Sequence, residues 1–96
     1  MDTEYYNHIG VVPAIRELTE AMTPISDMAI LMDKAESELR EVLDDPENEM
    51  SEVYHKTKAL VALRMRKNII EMAEAGAPSA KDALLDIYNN FKNDMP

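Results

Sequence analysis

Two glycines, Gly10 and Gly76, and five prolines, Pro13, Pro24, Pro46, Pro78 and Pro96, punctuate the chain, and four of the prolines stand where a helix could begin. Proline is tolerated at a first helical position because its missing N–H has no partner there in any case. Thr23-Pro24 and Asp45-Pro46 each place a capping oxygen just ahead of the proline, so both read as helix starts. The chain is thereby divided into four helical pieces.

In the first piece, about 13–22, Ile15, Leu18 and Met22 continue a helical spacing from Val11. The second, about 24–44, sets Ile25, Met28, Met32, Ala35, Leu39 and Val42 at alternating steps of three and four, a heptad seam widened by Leu31 and Leu43. Glu36 and Arg40 form an i,i+4 pair on its outer side. The third, about 47–75, is apolar on two sides: Val61, Met65, Ile69 and Met72 on one, Ala59, Leu63, Ile70 and Ala73 on the other. Gly76 supplies a left-handed stop, and Pro78 restarts a last helix with Ala80, Leu84, Ile87 and Phe91 on one face.

These features predict an all-α fold of about four helices, with the second and third pieces forming a long central antiparallel hairpin. One helical domain is expected over 13–92, with a flexible N-terminal segment over 1–12 and a flexible tail over 93–96. Ninety-six residues bury little surface on their own, so the apolar seams predict a homo-oligomer. Its assembly residues are Ile25, Met28, Met32, Leu39, Val61, Met65, Ile69 and Met72.

The same composition argues against catalysis. There is no cysteine, only His8 and His55 for acid–base chemistry, and no glycine-rich phosphate loop. The carboxylates Asp44, Asp45, Glu47 and Glu49 lack EF-hand spacing and read as an acidic helix–helix turn. No enzyme activity, metal or cofactor is expected. The acidic, polar start is unlike a secretory signal, and no apolar run nears the ~18 residues of a membrane span, so a soluble cytoplasmic protein is expected.

Charge is sorted along the chain, whose net value is −9. Residues 17–52 hold twelve of the nineteen acids, whereas 53–70 contain Lys56, Lys58, Arg64, Arg66 and Lys67 and no acid. Those five are the candidates for contact with a DNA backbone, which needs charge and reach more than base-reading geometry. The same residues could instead be solvated or neutralise the acidic segment within or between subunits. No aromatic interleaves them, which disfavours a single-strand stacking platform.

The run from Tyr54 to Ala80 begins Tyr54-His55-Lys56, passes Leu63-Arg64, and closes on Ala73-x-x-Gly76-x-x-x-Ala80. In this it resembles a segment of bacteriophage small terminase subunits, over about the C-terminal half of the chain. It departs from that pattern at Thr57, where a glycine is expected, and at Pro78, which precedes Ser79 instead of following it. The resemblance implies a non-catalytic DNA-packaging factor that forms a ring, engages double-stranded viral DNA and regulates the large terminase subunit in the cytoplasm of a bacterial host. The acid excess supports an alternative, an acidic helical adaptor or inhibitor of a basic partner protein. A helix-turn-helix regulator fits less well, because the last helix carries Asp82 and Asp86 with few cations to enter a major groove.

Overall fold

A computed structural model describes residues 3–94, and every regular element among them is helical. In chain order these are α1 (Thr3–Ile9), α2 (Val11–Glu20), α3 (Ile25–Leu31), α4 (Glu36–Asp44), α5 (Glu49–Glu74) and α6 (Pro78–Asp94). The all-α expectation holds; the expected four helices are six. The chain forms two compact units, Met1–Val61 and Ala62–Pro96, and the division falls inside α5.

The first unit is organised around α2, whose buried Ala14, Ile15, Leu18 and Thr19 form one helical stripe. Gly10 joins α1 to α2 at φ 96°, a left-handed value that side chains resist, and its carbonyl accepts the Ala14 N–H at 3.1 Å. Residues 3–9 lie in the stretch expected to be flexible, yet they form α1, and Tyr6 is buried in the core. The physical reason is the α2 stripe, which needs a cover that Tyr6 and Ile9 provide. On the solvent side the Tyr5 hydroxyl donates to Glu17 Oε2 at 3.0 Å, tying α1 to α2. That bond and the carboxylate's charge raise the Tyr5 pKa above its ordinary 10.0. Residues 1–2 and 95–96 of the expected flexible ends lie outside the described residues.

The heptad seam is not carried by one helix. It is cut after Leu31, so no single helix over 24–44 forms an arm of the expected long hairpin. The cut is a left-handed closure: Asp33 sits at φ 57°, its N–H donates to the Ile30 carbonyl at 3.2 Å, and the Lys34 N–H reaches back to Ala29 at 2.9 Å. This is the Schellman pattern of helix termination, achieved without glycine. Aspartate is among the few L-residues that enter this region readily. The end of α2 repeats the geometry, with Met22 at φ 58°, its N–H on the Thr19 carbonyl at 2.9 Å and the Thr23 N–H on Leu18 at 3.0 Å. As a result α3 packs on α4 and α1. Met28 and Met32 then join Leu39 and Leu43 in the same core as Tyr6, Ile15 and Leu18.

Two expected helix starts shift by one to three residues. Thr23 makes no side-chain cap, and Pro24 is itself the extended residue ahead of α3, its carbonyl accepting the Met28 N–H at 2.9 Å. Asp45 Oδ1 closes a local turn by accepting the Glu47 N–H at 3.1 Å, while Asn48 caps α5 through Oδ1 to the Met50 N–H at 2.9 Å. Buried Ser51 fastens the new helix by donating its hydroxyl to the Leu43 carbonyl at 2.7 Å, an acceptor in the last turn of α4. His55 Nδ1 lies 2.8 Å from the Ser51 carbonyl oxygen and 3.3 Å from Ser51 Oγ, an arrangement that suits the tautomer protonated on Nδ1. The expected Glu36–Arg40 pair forms at 3.8 Å on an exposed surface, where such pairs contribute little.

The second unit contains the last turns of α5 and the whole of α6. Gly76, at φ 97°, donates to the Ala73 carbonyl at 3.0 Å and the Ala77 N–H reaches Met72 at 3.0 Å, a third Schellman closure. Pro78 occupies the first position of α6, as expected. Ala73 and Ala80 are the buried hydrophobics of this unit, small side chains on either side of the joint.

The three closures predict opposite responses to glycine chemistry. Met22→Gly and Asp33→Gly should each stabilise the chain by about 0.5–1 kcal/mol, the relief of a left-handed L-residue less the added freedom of the unfolded chain. Gly76→Ala should cost about 1 kcal/mol even though a Cβ there meets nothing within 4 Å, because only the backbone objects. Urea unfolding measures all three. Loss of stability in Asp33→Gly would instead show that the carboxylate itself holds the turn.

The raised Tyr5 pKa gives an alkaline signature. A folded-state pKa above the unfolded value means that the bond's contribution is complete below about pH 10 and is lost as pH rises through the folded pKa. Tyr5→Phe should remove that alkaline component from a stability–pH curve.

Candidate interaction surfaces

Among the described residues no group of three or more His, Asp or Glu is placed to hold a metal ion. No helix among them is long and apolar enough to cross a membrane. His55 is engaged with the Ser51 carbonyl and hydroxyl. Two concave surfaces lie among the described residues, one in the first unit and one in the second.

In the first unit a small cavity of about 260 Å³ lies where α2 ends and α5 passes, lined by Thr19, Met22, Pro24, Tyr54, Lys58 and Val61 among others. The Lys58 ammonium stands 5.5 Å from the centre of the Tyr54 ring, within cation–π range. Thr19 is 5% exposed and its hydroxyl has no hydrogen-bond partner, which is costly for a buried polar atom.

In the second unit α5 and α6 flank an open groove of about 940 Å³. Its apolar lining is Leu63 and Ile70 from α5 and Leu84, Ile87, Tyr88 and Phe91 from α6. Tyr88 is 55% and Phe91 59% exposed. Arg66 and Lys67 also line it from α5, and Asp94 from α6.

The expected assembly residues divide between these environments. Met28, Met32 and Leu39 are buried within the first unit's own core, Ile25 packs on its edge, and Val61 is also buried. Met65 and Met72 are exposed and Ile69 is half-buried. The α6 residues Leu84, Ile87, Tyr88 and Phe91 are absent from that expected set. Their three-and-four spacing was visible; what sequence does not show is that Leu84 and Ile87 end up half-buried while Tyr88 and Phe91 stay exposed.

All five candidate DNA-contact cations, Lys56, Lys58, Arg64, Arg66 and Lys67, are exposed. Lys56 and Lys58 belong to the first unit and the other three to the second. The division is electrostatically sharp. The sequence over 1–61 has fourteen acids and five bases, and that over 62–96 has five of each, so the first unit carries the entire −9 and the second is neutral.

The unpartnered Thr19 hydroxyl supplies a test of its cavity. Thr19→Val keeps the β-branched shape and should stabilise the chain by about 1 kcal/mol by removing a buried orphan. Destabilisation in a urea titration would show that the hydroxyl has a hydrogen-bond partner in solution. No protein-family model matches this chain, no curated protein matches it, and no solved structure matches its fold.

Proposed function

We propose that this chain is a non-catalytic phage DNA-packaging factor of the small terminase kind, which assembles from several copies into a ring, engages viral double-stranded DNA and regulates the large terminase subunit. The observation that carries the reading is the run from Tyr54 to Ala80, built as one helix stopped at Gly76 and a second started at Pro78, beside a groove whose apolar side chains lack cover. The helix–glycine–helix order is the one the resemblance implies. Pro78, which departs from that pattern, fits the fold as the first residue of α6. Thr57 departs from it within continuous helix and is buried, where a glycine would weaken the helix by about 1 kcal/mol.

A uniformly acidic surface would repel DNA, so phosphate contact has to be local, and the exposed cations of α5 are the side chains with the charge and reach for it. The double variant Arg64→Glu with Lys67→Glu should abolish retention of double-stranded DNA at low salt. Unchanged retention by a variant of normal helix content rejects that face. Failure of the full-length chain to capture either DNA or the large terminase subunit rejects the packaging reading.

A second reading is favoured by the concentration of all the net charge in the first unit. An acidic adaptor docking a basic protein would bind it with steep salt dependence and would not retain DNA even at low ionic strength.

A further inference from the structure

We infer that the α5–α6 groove of the second unit holds single-stranded nucleic acid, with bases stacked on Tyr88 and Phe91 of α6 and phosphates met by Arg66 and Lys67 of α5. The inference goes beyond the packaging reading, which concerns duplex DNA and the large terminase subunit.

The juxtaposition exists only in the fold. No aromatic stands among the cations of α5 in the sequence, which disfavours a stacking platform on that helix by itself. Beyond the turn at Gly76, however, one groove is lined from α5 by Arg66 and Lys67 and from α6 by Tyr88 and Phe91. Arg66 and Lys67 precede Gly76 by ten and nine residues, and Tyr88 and Phe91 follow Pro78 by ten and thirteen. At ~1.5 Å per residue all four lie about 14–20 Å from the joint, so charge and rings stand at a similar depth.

Each group suits an unpaired strand. Both rings are more than half exposed, at 55% and 59%. They are three positions apart on one helix, where Cβ atoms are about 5–6 Å apart, so two neighbouring bases can each find a ring. Stacking of this kind accepts any base, because every base has a π-face. In a duplex those faces are covered by the adjacent pairs; an unpaired strand presents them. Asn90 and Asn93 also line the groove, and each amide offers a donor and an acceptor to a base edge.

Charge favours the same occupant. The second unit is neutral as a whole, but its groove is not: Arg66 and Lys67 line it with one acid, Asp94, while Glu71, Glu74, Asp82 and Asp86 lie outside its lining. The net positive charge left there attracts a phosphate chain and opposes a basic protein. An apolar partner helix would cover the aliphatic side chains and leave the two cations and two amides to be desolvated without partners. A nucleic-acid strand engages the rings, the amides and the cations together.

Fluorescence anisotropy of a labelled oligothymidylate of about twelve nucleotides, titrated with the full chain, tests this. The expected result is binding at low salt that weakens with a log–log salt slope of about −1.4, the value for two phosphate contacts on a single strand. Tyr88→Leu with Phe91→Leu keeps apolar area and helix propensity but removes both rings. It should weaken oligonucleotide binding at least about tenfold and leave duplex retention unchanged. The rings are varied because Lys67 also belongs to the duplex face proposed above. Absence of oligonucleotide binding at low salt overturns the inference. So does undiminished binding by a double variant of normal helix content. A loss that falls equally on duplex retention, or that accompanies a changed molar mass in light scattering, overturns it too, because the rings would then serve assembly. A chain that binds the oligonucleotide but captures neither duplex DNA nor the large terminase subunit keeps the groove assignment and rejects the packaging function; one that captures both but not the oligonucleotide does the reverse.

Discussion

The left-handed turn at Asp33 is the constraint on which the first unit depends. An uninterrupted helix over 24–44 would hold Met28 and Met32 at one end of a rod and Leu39 and Leu43 at the other, where they could not pack on one another. Ending α3 at Leu31 and restarting at Glu36 folds the seam on itself, so Met28 and Met32 reach Leu39 and Leu43 inside one core. The strain of one L-residue at φ 57° is of order 1–2 kcal/mol, and burying even one methionine or leucine is worth as much or more. The comparison explains why a glycine is dispensable there, and the same holds at Met22. Packing selects the turn, and the turn residue only has to tolerate it.

That order of causes decides what was legible in the sequence. The helical class, the long α5, the stop at Gly76 and the start at Pro78 rest on local chemistry, in which proline and glycine act through their own backbones, and all were readable. The break between α3 and α4 was not, because Met32, Asp33, Lys34 and Ala35 contain no breaker and continue an unbroken heptad. A faint signal existed in Asp33, a residue type tolerant of left-handed backbone, placed off the apolar stripe. α1 escaped notice for a related reason: seven residues make no stable helix alone, and Tyr6 declares itself only when the α2 stripe is there to receive it. The start of α5 moved from Pro46 to Glu49 because Asn48 caps better in this setting than Asp45, whose carboxylate closes its own turn.

The surfaces were legible in composition but not in allocation. A seam of apolar residues predicts that something will cover it without saying whether the cover is the same chain. For Met28, Met32 and Leu39 the cover is the chain's own core; Leu84 and Ile87 are half-covered and Tyr88 and Phe91 are exposed, and periodicity treats all of them alike. The acidic and basic stretches were likewise visible, but their meaning changes once α5 is divided. Arg64, Arg66 and Lys67 belong with Glu71, Glu74, Asp82, Asp86 and Asp94 in a unit of zero net charge, not with the acids of residues 17–52.

Charge and apolarity thus act on different parts of the chain, and together they narrow how copies can meet. Association driven by apolar area is indiscriminate by itself, since a greasy face accepts any other. A head carrying −9 removes most wrong encounters, because any pairing that brings two such heads into contact is opposed before side chains touch. On the proposed assembly reading, contacts that involve the neutral unit, with its own kind or with an acidic one, are those free of net repulsion. On that same reading repulsion between acidic units would supply discrimination, and apolar side chains the affinity.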